Sequence, residues 1–235
     1  MSERLDHLAA LAVAQHAFAD ALAGADPEAP VPSCAPWRVA DLALHLGGVH
    51  WWAAGMAHGV DLDPHEPPGP RDVDTLVRFY VWAAGSLRRT LVDLGPDAPA
   101  LTLDGPGTAA FWRRRQLHET LVHLWDLGAA LGTDLTSPQD GAWADTVDEV
   151  VTVMAPRQVR LGRMVATTTP VLLRDHAGHA WRIGPERWPA AAEVSGSARD
   201  LALLLWRRIG PWDGALTVRG DGEALDRLLA AALTP

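Results

Sequence analysis

Residues 114–126 read RRQLHETLVHLWD, which looks like a zinc-protease helix with one residue too many. On a regular helix, residues four apart share a face, while residues five apart diverge by about 140°. The protease pattern needs two histidines four apart, with a glutamate between them as base. His118 and His123 are five apart, so a straight helix cannot bring both to one ion. Glu119 and His123 are four apart and can. The stretch is therefore read as a helix that aims a carboxylate and an imidazole at one point. His118 is discarded, and any third donor must come from another element.

The flanking sequence says what that helix packs against. Gly105-Pro106-Gly107 breaks the chain before it, and Gly132 is a natural stop after it, so the helix runs from about Thr108 to Leu131. Upstream, apolar residues recur at helical intervals in three more stretches: residues 3–23, Trp37 to about Ala57, and Asp72 to Leu94. Pro- and Gly-rich loops such as DLDPHEPPGP separate them. Four helices of about 20 residues joined this way describe an up-down bundle. A shorter helix, 139–154, leads out of it.

Near residue 160 the pattern changes. VLLRDHAGHAWRIG has the layout of a hairpin turning at His176-Ala177-Gly178, and AAEVSG reads as a short strand. Ser197 to Asp200 is a capping-box pattern opening the helix DLALLLWRR. LTVRG reads as a strand and the segment from Asp221 as a last helix. The expectation is an α+β protein, with a helical bundle over 1–155 and a small α/β domain over 156–235.

Composition narrows the function. No run of about 18 apolar residues is present, and the N-terminus lacks the basic start and apolar middle of a secretion signal, so the chain is expected to be cytoplasmic and off the membrane. A lone cysteine, Cys34, forbids an internal disulfide and any multi-cysteine zinc cluster. All 20 basic residues are arginine and there is no lysine or asparagine, a coding bias that says nothing of function. Net charge is −9: residues 1–155 carry 9 Arg against 21 acids, and 156–235 carry 11 Arg against 8. An acidic chain without a basic stripe is a poor nucleic-acid binder.

A third donor is available in DLALHLGGVHWW, where His45 sits among Leu42, Leu46 and Val49. A neutral imidazole facing a bundle core needs a partner, and a metal would supply one. His45, Glu119 and His123 would form a two-His, one-Glu set that leaves a position open for water or substrate. Gly47-Gly48 thins the helix beside it, which could leave room for a ligand. Spacing leaves the plainer readings open: a Glu/His pair at i,i+4 is commonly a surface contact, and a histidine in an apolar run is commonly a hydrogen-bonded core residue.

The block VPSCAPWRVADLALHLGGVHWWA resembles the C-x-x-W-x-x-x-D-x-x-x-H-L start of the mycothiol-dependent maleylpyruvate isomerase family, part of the DinB-like metal-binding bundles. RRRQLHETLVHLWDL is similar to that family's H-E-x-x-x-H-x-W-D segment. SGSARDLALLLWRRIG and LTVRGDGEALDRLL resemble its sterol-carrier-like C-terminal domain. The resemblance covers nearly the whole chain. It implies that His45, Glu119 and His123 hold a divalent ion, Zn before Ni, Co or Mn. Arg38 stands where the family often has a capping Thr or Ser, which weakens the cap by about 1 kcal/mol without touching the ligand set.

Further implications follow from the resemblance. The ion would hold a low-molecular-weight thiol, mycothiol, as thiolate. That thiolate would add to an electrophilic carbon of a small substrate. Elimination would give an isomerase, and retention of the thiol an S-transferase. Arg208, at the end of the tail-domain helix, is the candidate catalytic and cofactor-binding residue, holding the cofactor or a substrate carboxylate; a solvated helix end is the plainer reading. Arg113 to Arg115 are further candidate anion donors. Asp126 is either a carboxylate behind His123 or a helix-surface acid. Cys34 is read as packing at the helix-two entrance, and Trp37 and Trp125 as core. His50, His58, His176 and His179 receive no role. Two other classes stay in view: a hydrolase or lyase using metal-bound water, with the same ligands and no thiol, and a non-catalytic small-ligand binder. The protein is expected to be a monomer or homodimer.

Overall fold

Asp6 opens the first helix: its carboxylate accepts the backbone N–H groups of Leu8 and Ala9, and helix α1 then runs His7–Ala23. A computed structural model describes the chain over residues 5–62, 71–135, 140–213 and 215–235. Helices α2 (Val39–Ala57), α3 (Val73–Leu94) and α4 (Ala109–Leu131) complete the set expected from the apolar spacing. Arg38 cannot cap α2 with its side chain, since a guanidinium offers no acceptor. Asp41 compensates by accepting the backbone N–H of Arg38 at 2.8 Å. Gly132 closes α4 in the left-handed conformation, φ +67°, which a residue with a Cβ rarely adopts.

The chain divides into two compact units, Met1–Ser137 and Pro138–Pro235. In the first, α2 packs on α3 and α1 on α4, with α1–α3 and α2–α4 completing the bundle. Its core gathers Phe18 and Leu22 from α1, Leu42 and Leu46 from α2, Leu76 and Tyr80 from α3, and Leu124 and Leu127 from α4. Gly47 belongs to this packing. A Cβ there would stand 2.6 Å from the Phe79 ring, so its missing side chain admits α3 rather than a ligand, contrary to the expectation from sequence. Gly48 faces open space.

Between α3 and α4 lies a hairpin that apolar spacing does not signal, β1 (Pro99–Thr102) and β2 (Gly105–Thr108). Gly105-Pro106-Gly107, a break when read as sequence, pairs along β1, and the indole N–H of Trp112 donates to the Leu101 carbonyl at 2.6 Å.

In the second unit, α5 (Asp140–Glu149) passes through a π-helical turn (Val150–Met154) into α6 (Ala155–Arg160). The expected domain boundary at 155/156 cuts this continuous segment. Trp143 and Val147 of α5 are buried and the helix packs against α7 (Ala198–Leu205), so contacts place it with the tail. The hairpin predicted around residues 176–178 is β3 (Val171–Asp175) with β4 (Ala180–Ile183). Strand β5 (Ala192–Gly196) lies parallel to β3, and β6 (Thr217–Gly220) antiparallel to β5, giving the order β4-β3-β5-β6. Val171, Leu173, Ala192 and Val194 alternate into the buried face, with α7 and α8 (Gly222–Ala230) packed on β3 and β5. The whole is α+β, as expected. Among the described residues no helix is long and apolar enough to cross a membrane.

Candidate metal centre

Helical spacing does what the sequence predicts within α4. Glu119 and His123 share a face, and Oε1 of Glu119 lies 3.3 Å from Nε2 of His123. From α2, His45 brings its Nε2 to 3.4 Å from the same oxygen. One donor atom from each of the three residues lies within 4.8 Å of the others. Metal–ligand bonds of about 2.1 Å at tetrahedral angles place neighbouring donors about 3.4 Å apart, so both measured separations match the edge of such a polyhedron. Two imidazoles and one carboxylate are a donor set suited to zinc and similar divalent ions.

The residues behind the donors fix their orientation. Nδ1 of His123 is 2.8 Å from Oδ2 of Asp126, which has no solvent exposure. With the ring proton donated there, Nε2, 3.3 Å from Oε1 of Glu119, keeps its lone pair for a ligand role. Asp126 in turn accepts from the Ser33 hydroxyl at 2.6 Å and the Cys34 thiol at 3.3 Å. This decides between the two readings of Asp126: it is the carboxylate behind His123. Cys34 is more than packing, because its S–H helps hold that carboxylate. Cys34, His123 and Asp126 also approach one another closely, but their distances are those of hydrogen bonds.

Glu119 has a second partner. The Arg115 guanidinium, one turn earlier on α4, donates through Nη2 to Oε2 of Glu119, and both side chains are buried. Arg115 therefore serves inside the bundle rather than as an anion donor at the helix start. Arg113 donates to the Leu91 carbonyl at 2.6 Å. The i,i+4 spacing of Arg115 and Glu119 is visible in the sequence; that the pair is buried is not.

Solvent reaches the group from one side. The His45 side chain is 36% exposed, against 6% for His123 and 9% for Glu119. Trp37, expected in the core, is only partly buried and places its ring 4.8 Å from that of His45 and 6.3 Å from that of His123. His118 is fully buried and stands edge-on to His7, outside the triad, as its position five before His123 requires.

His50, given no role by sequence, is the centre of a polar chain through the bundle. Its Nδ1 donates to Oε1 of Gln116 at 2.7 Å, and its Nε2 accepts from the Gln15 amide at 3.2 Å. Oε1 of Gln15 takes a hydrogen bond from Arg88 at 3.1 Å. Each of the four helices thus contributes one member. Burial is the main reason His50 stays neutral, its pKa falling to about 4, with the Gln116 hydrogen bond opposing the shift.

Arg208 belongs to the second unit, just beyond α7, where Nη1 donates to the Trp206 carbonyl at 2.9 Å. Its neighbour Arg207 has a positive φ of 58°.

Two family models match the chain in order. One, described as the mycothiol maleylpyruvate isomerase N-terminal domain, covers residues 8–128, and the corresponding C-terminal domain covers 143–230. No curated protein sequence matches the chain at a significant level. Among solved structures, a crystal structure of a mycothiol-dependent maleylpyruvate isomerase superposes with a TM-score of 0.69 at 14% identity, over 92% of this chain and 93% of the other. A histidine-to-alanine mutant of a mycothiol-dependent maleylpyruvate isomerase gives 0.66 at the same identity and coverage. At this identity the likeness is one of fold.

Proposed function

For a chain that belongs to the mycothiol maleylpyruvate isomerase family, we propose a metal-dependent enzyme that uses a low-molecular-weight thiol, mycothiol, to act on a small electrophilic substrate as an isomerase or S-transferase. The observation that carries this reading is the convergence of His45 and His123 on Oε1 of Glu119, each at a tetrahedral-edge distance, with solvent access on the His45 side. A divalent ion there, when bound, would hold a thiol sulfur in its nucleophilic thiolate form at neutral pH.

The chain's own residues have separable tasks. Asp126 holds the Nδ1 proton of His123 and so keeps Nε2 available as a ligand atom. Ser33 and Cys34 fix Asp126, tying the turn before α2 to α4. Trp37 sets an apolar ring beside the two imidazoles. His45 is the most exposed of the three side chains, so a thiol and substrate would approach an ion held there from its side. Cys34 is spent on Asp126, and the nucleophilic sulfur is supplied from outside the chain. Arg208 is proposed, from the family resemblance, as the guanidinium that holds a cofactor or substrate carboxylate.

The test is consumption of maleylpyruvate, and of a panel of small electrophiles, by zinc-loaded protein with and without mycothiol. The proposal expects turnover only with the thiol, lost in Glu119→Ala. A rate indifferent to thiol contradicts it and points instead to metal-activated water.

A further inference from the structure

Arg115 and Glu119 occupy successive turns of one face of α4, with side chains 6% and 9% exposed. The two oxygens of Glu119 have different partners: Oε2 accepts from the Arg115 guanidinium, while Oε1 faces Nε2 of both His45 and His123. A guanidinium inside a helix bundle is costly to desolvate unless it is paired, and the oxygen it occupies is withdrawn from other ligation. Both members sit on the same helix, so their i,i+4 spacing sets the carboxylate's orientation.

His45 and His123 are neutral as ligands, Glu119 and Asp126 bring two negative charges, and Arg115 brings one positive charge. Once a divalent ion and a thiolate are added, these groups together are neutral. Without the guanidinium the same assembly carries net negative charge in a poorly solvated place, where charge interactions are strong. The last anion to arrive is the one most disfavoured.

We propose that Arg115 is a positioning residue for the metal centre: it restricts Glu119 to ligation through Oε1, and its charge keeps the ion electrophilic enough to bind a thiol as thiolate. The inference rests on the metal reading of the preceding section. It assigns a task to a residue outside the ligand set, and it separates holding the metal from holding the thiol.

The experiment uses cobalt(II)-loaded full-length protein titrated with N-acetylcysteine, read by the sulfur-to-cobalt charge-transfer band, with cobalt content measured in parallel. Wild-type protein is expected to develop the band. Arg115→Met is expected to retain cobalt but bind N-acetylcysteine about tenfold more weakly, or worse, at pH 7. Arg115→Lys, which keeps the charge, stays within about threefold of wild type on the same reasoning. Arg115→Gln is the second uncharged variant should the Met variant not fold. Thiol affinity unchanged in the uncharged variants while wild type binds cobalt removes this inference alone. A wild-type protein that takes up no cobalt removes the metal reading and this inference with it.

Discussion

Lowering the pH should destabilise the bundle through His50, by an amount the structure sets. The ring has no solvent exposure and sits between Gln15 and Gln116, donating through Nδ1 and accepting through Nε2. Its pKa falls from an ordinary 6.5 to about 4, chiefly because burial penalises the charged ring. The unfolded chain therefore binds a proton that the folded chain refuses between those two values, and stability rises with pH across that window. The contribution is fully present above pH 6.5 and is lost as pH falls. The loss is about 2 kcal/mol at pH 5 and levels off at about 3 kcal/mol below pH 4. Protonation also forces Nε2 to donate toward the Gln15 amide, which would have to turn over and give up its bond from Arg88. The assay is urea denaturation in EDTA, so that metal binding adds no linkage of its own, at pH 7.5 and pH 5, for wild type and His50→Gln. Glutamine spans the same neighbours without titrating. The wild type should lose about 2 kcal/mol more than the variant on going to pH 5. Equal losses in the two proteins would refute the reasoning, as would an NMR titration placing the His50 midpoint near 6.5.

Other perturbations separate the parts of the site. Asp126→Asn leaves one acceptor oxygen for three donors, so zinc affinity measured by chelator competition should fall about 10- to 100-fold; unchanged affinity would mean that His123 needs no carboxylate behind it. Cys34→Ser keeps a donor to Asp126 and should leave thiol-dependent turnover within about threefold, whereas abolished turnover in folded, metal-loaded protein would make Cys34 a nucleophile. Gly47→Ala drives a methyl into the Phe79 ring and should cost about 1–3 kcal/mol in thermal or urea unfolding. Gly48→Ala, facing open space, should be neutral or stabilise by up to about 1 kcal/mol; equal penalties at both positions would contradict the packing described for α2 and α3.

The parts of this protein that are legible in sequence are those governed by local periodicity. Apolar spacing marks all four bundle helices to within a few residues, and the four-residue step from Glu119 to His123 by itself puts those two donors on one helix face. His45 is harder to place, because a histidine among leucines reads equally as core; its approach to Glu119 depends on how α2 meets α4, which spacing within one helix does not show. The Asp126 network is invisible for a similar reason, since Ser33 and Cys34 meet it across 93 and 92 positions of chain. His50 shows the limit most clearly. Its partners Gln15 and Gln116 come from α1 and α4, and Arg88 joins through Gln15 from α3, so no spacing within a helix signals the chain. The β1–β2 hairpin is lost to the opposite fault: Gly105-Pro106-Gly107 is punctuation in a one-dimensional reading and a paired strand once Trp112 anchors it.

The most direct test of the metal centre is the metal content of purified protein after zinc exposure and exhaustive dialysis, for wild type, His45→Ala and Glu119→Ala. One zinc per wild-type chain is expected, with loss of most of it in each variant at unchanged helix content. Wild-type protein that retains no zinc, or variants that retain as much as wild type, would contradict the assignment of His45, Glu119 and His123 as ligands.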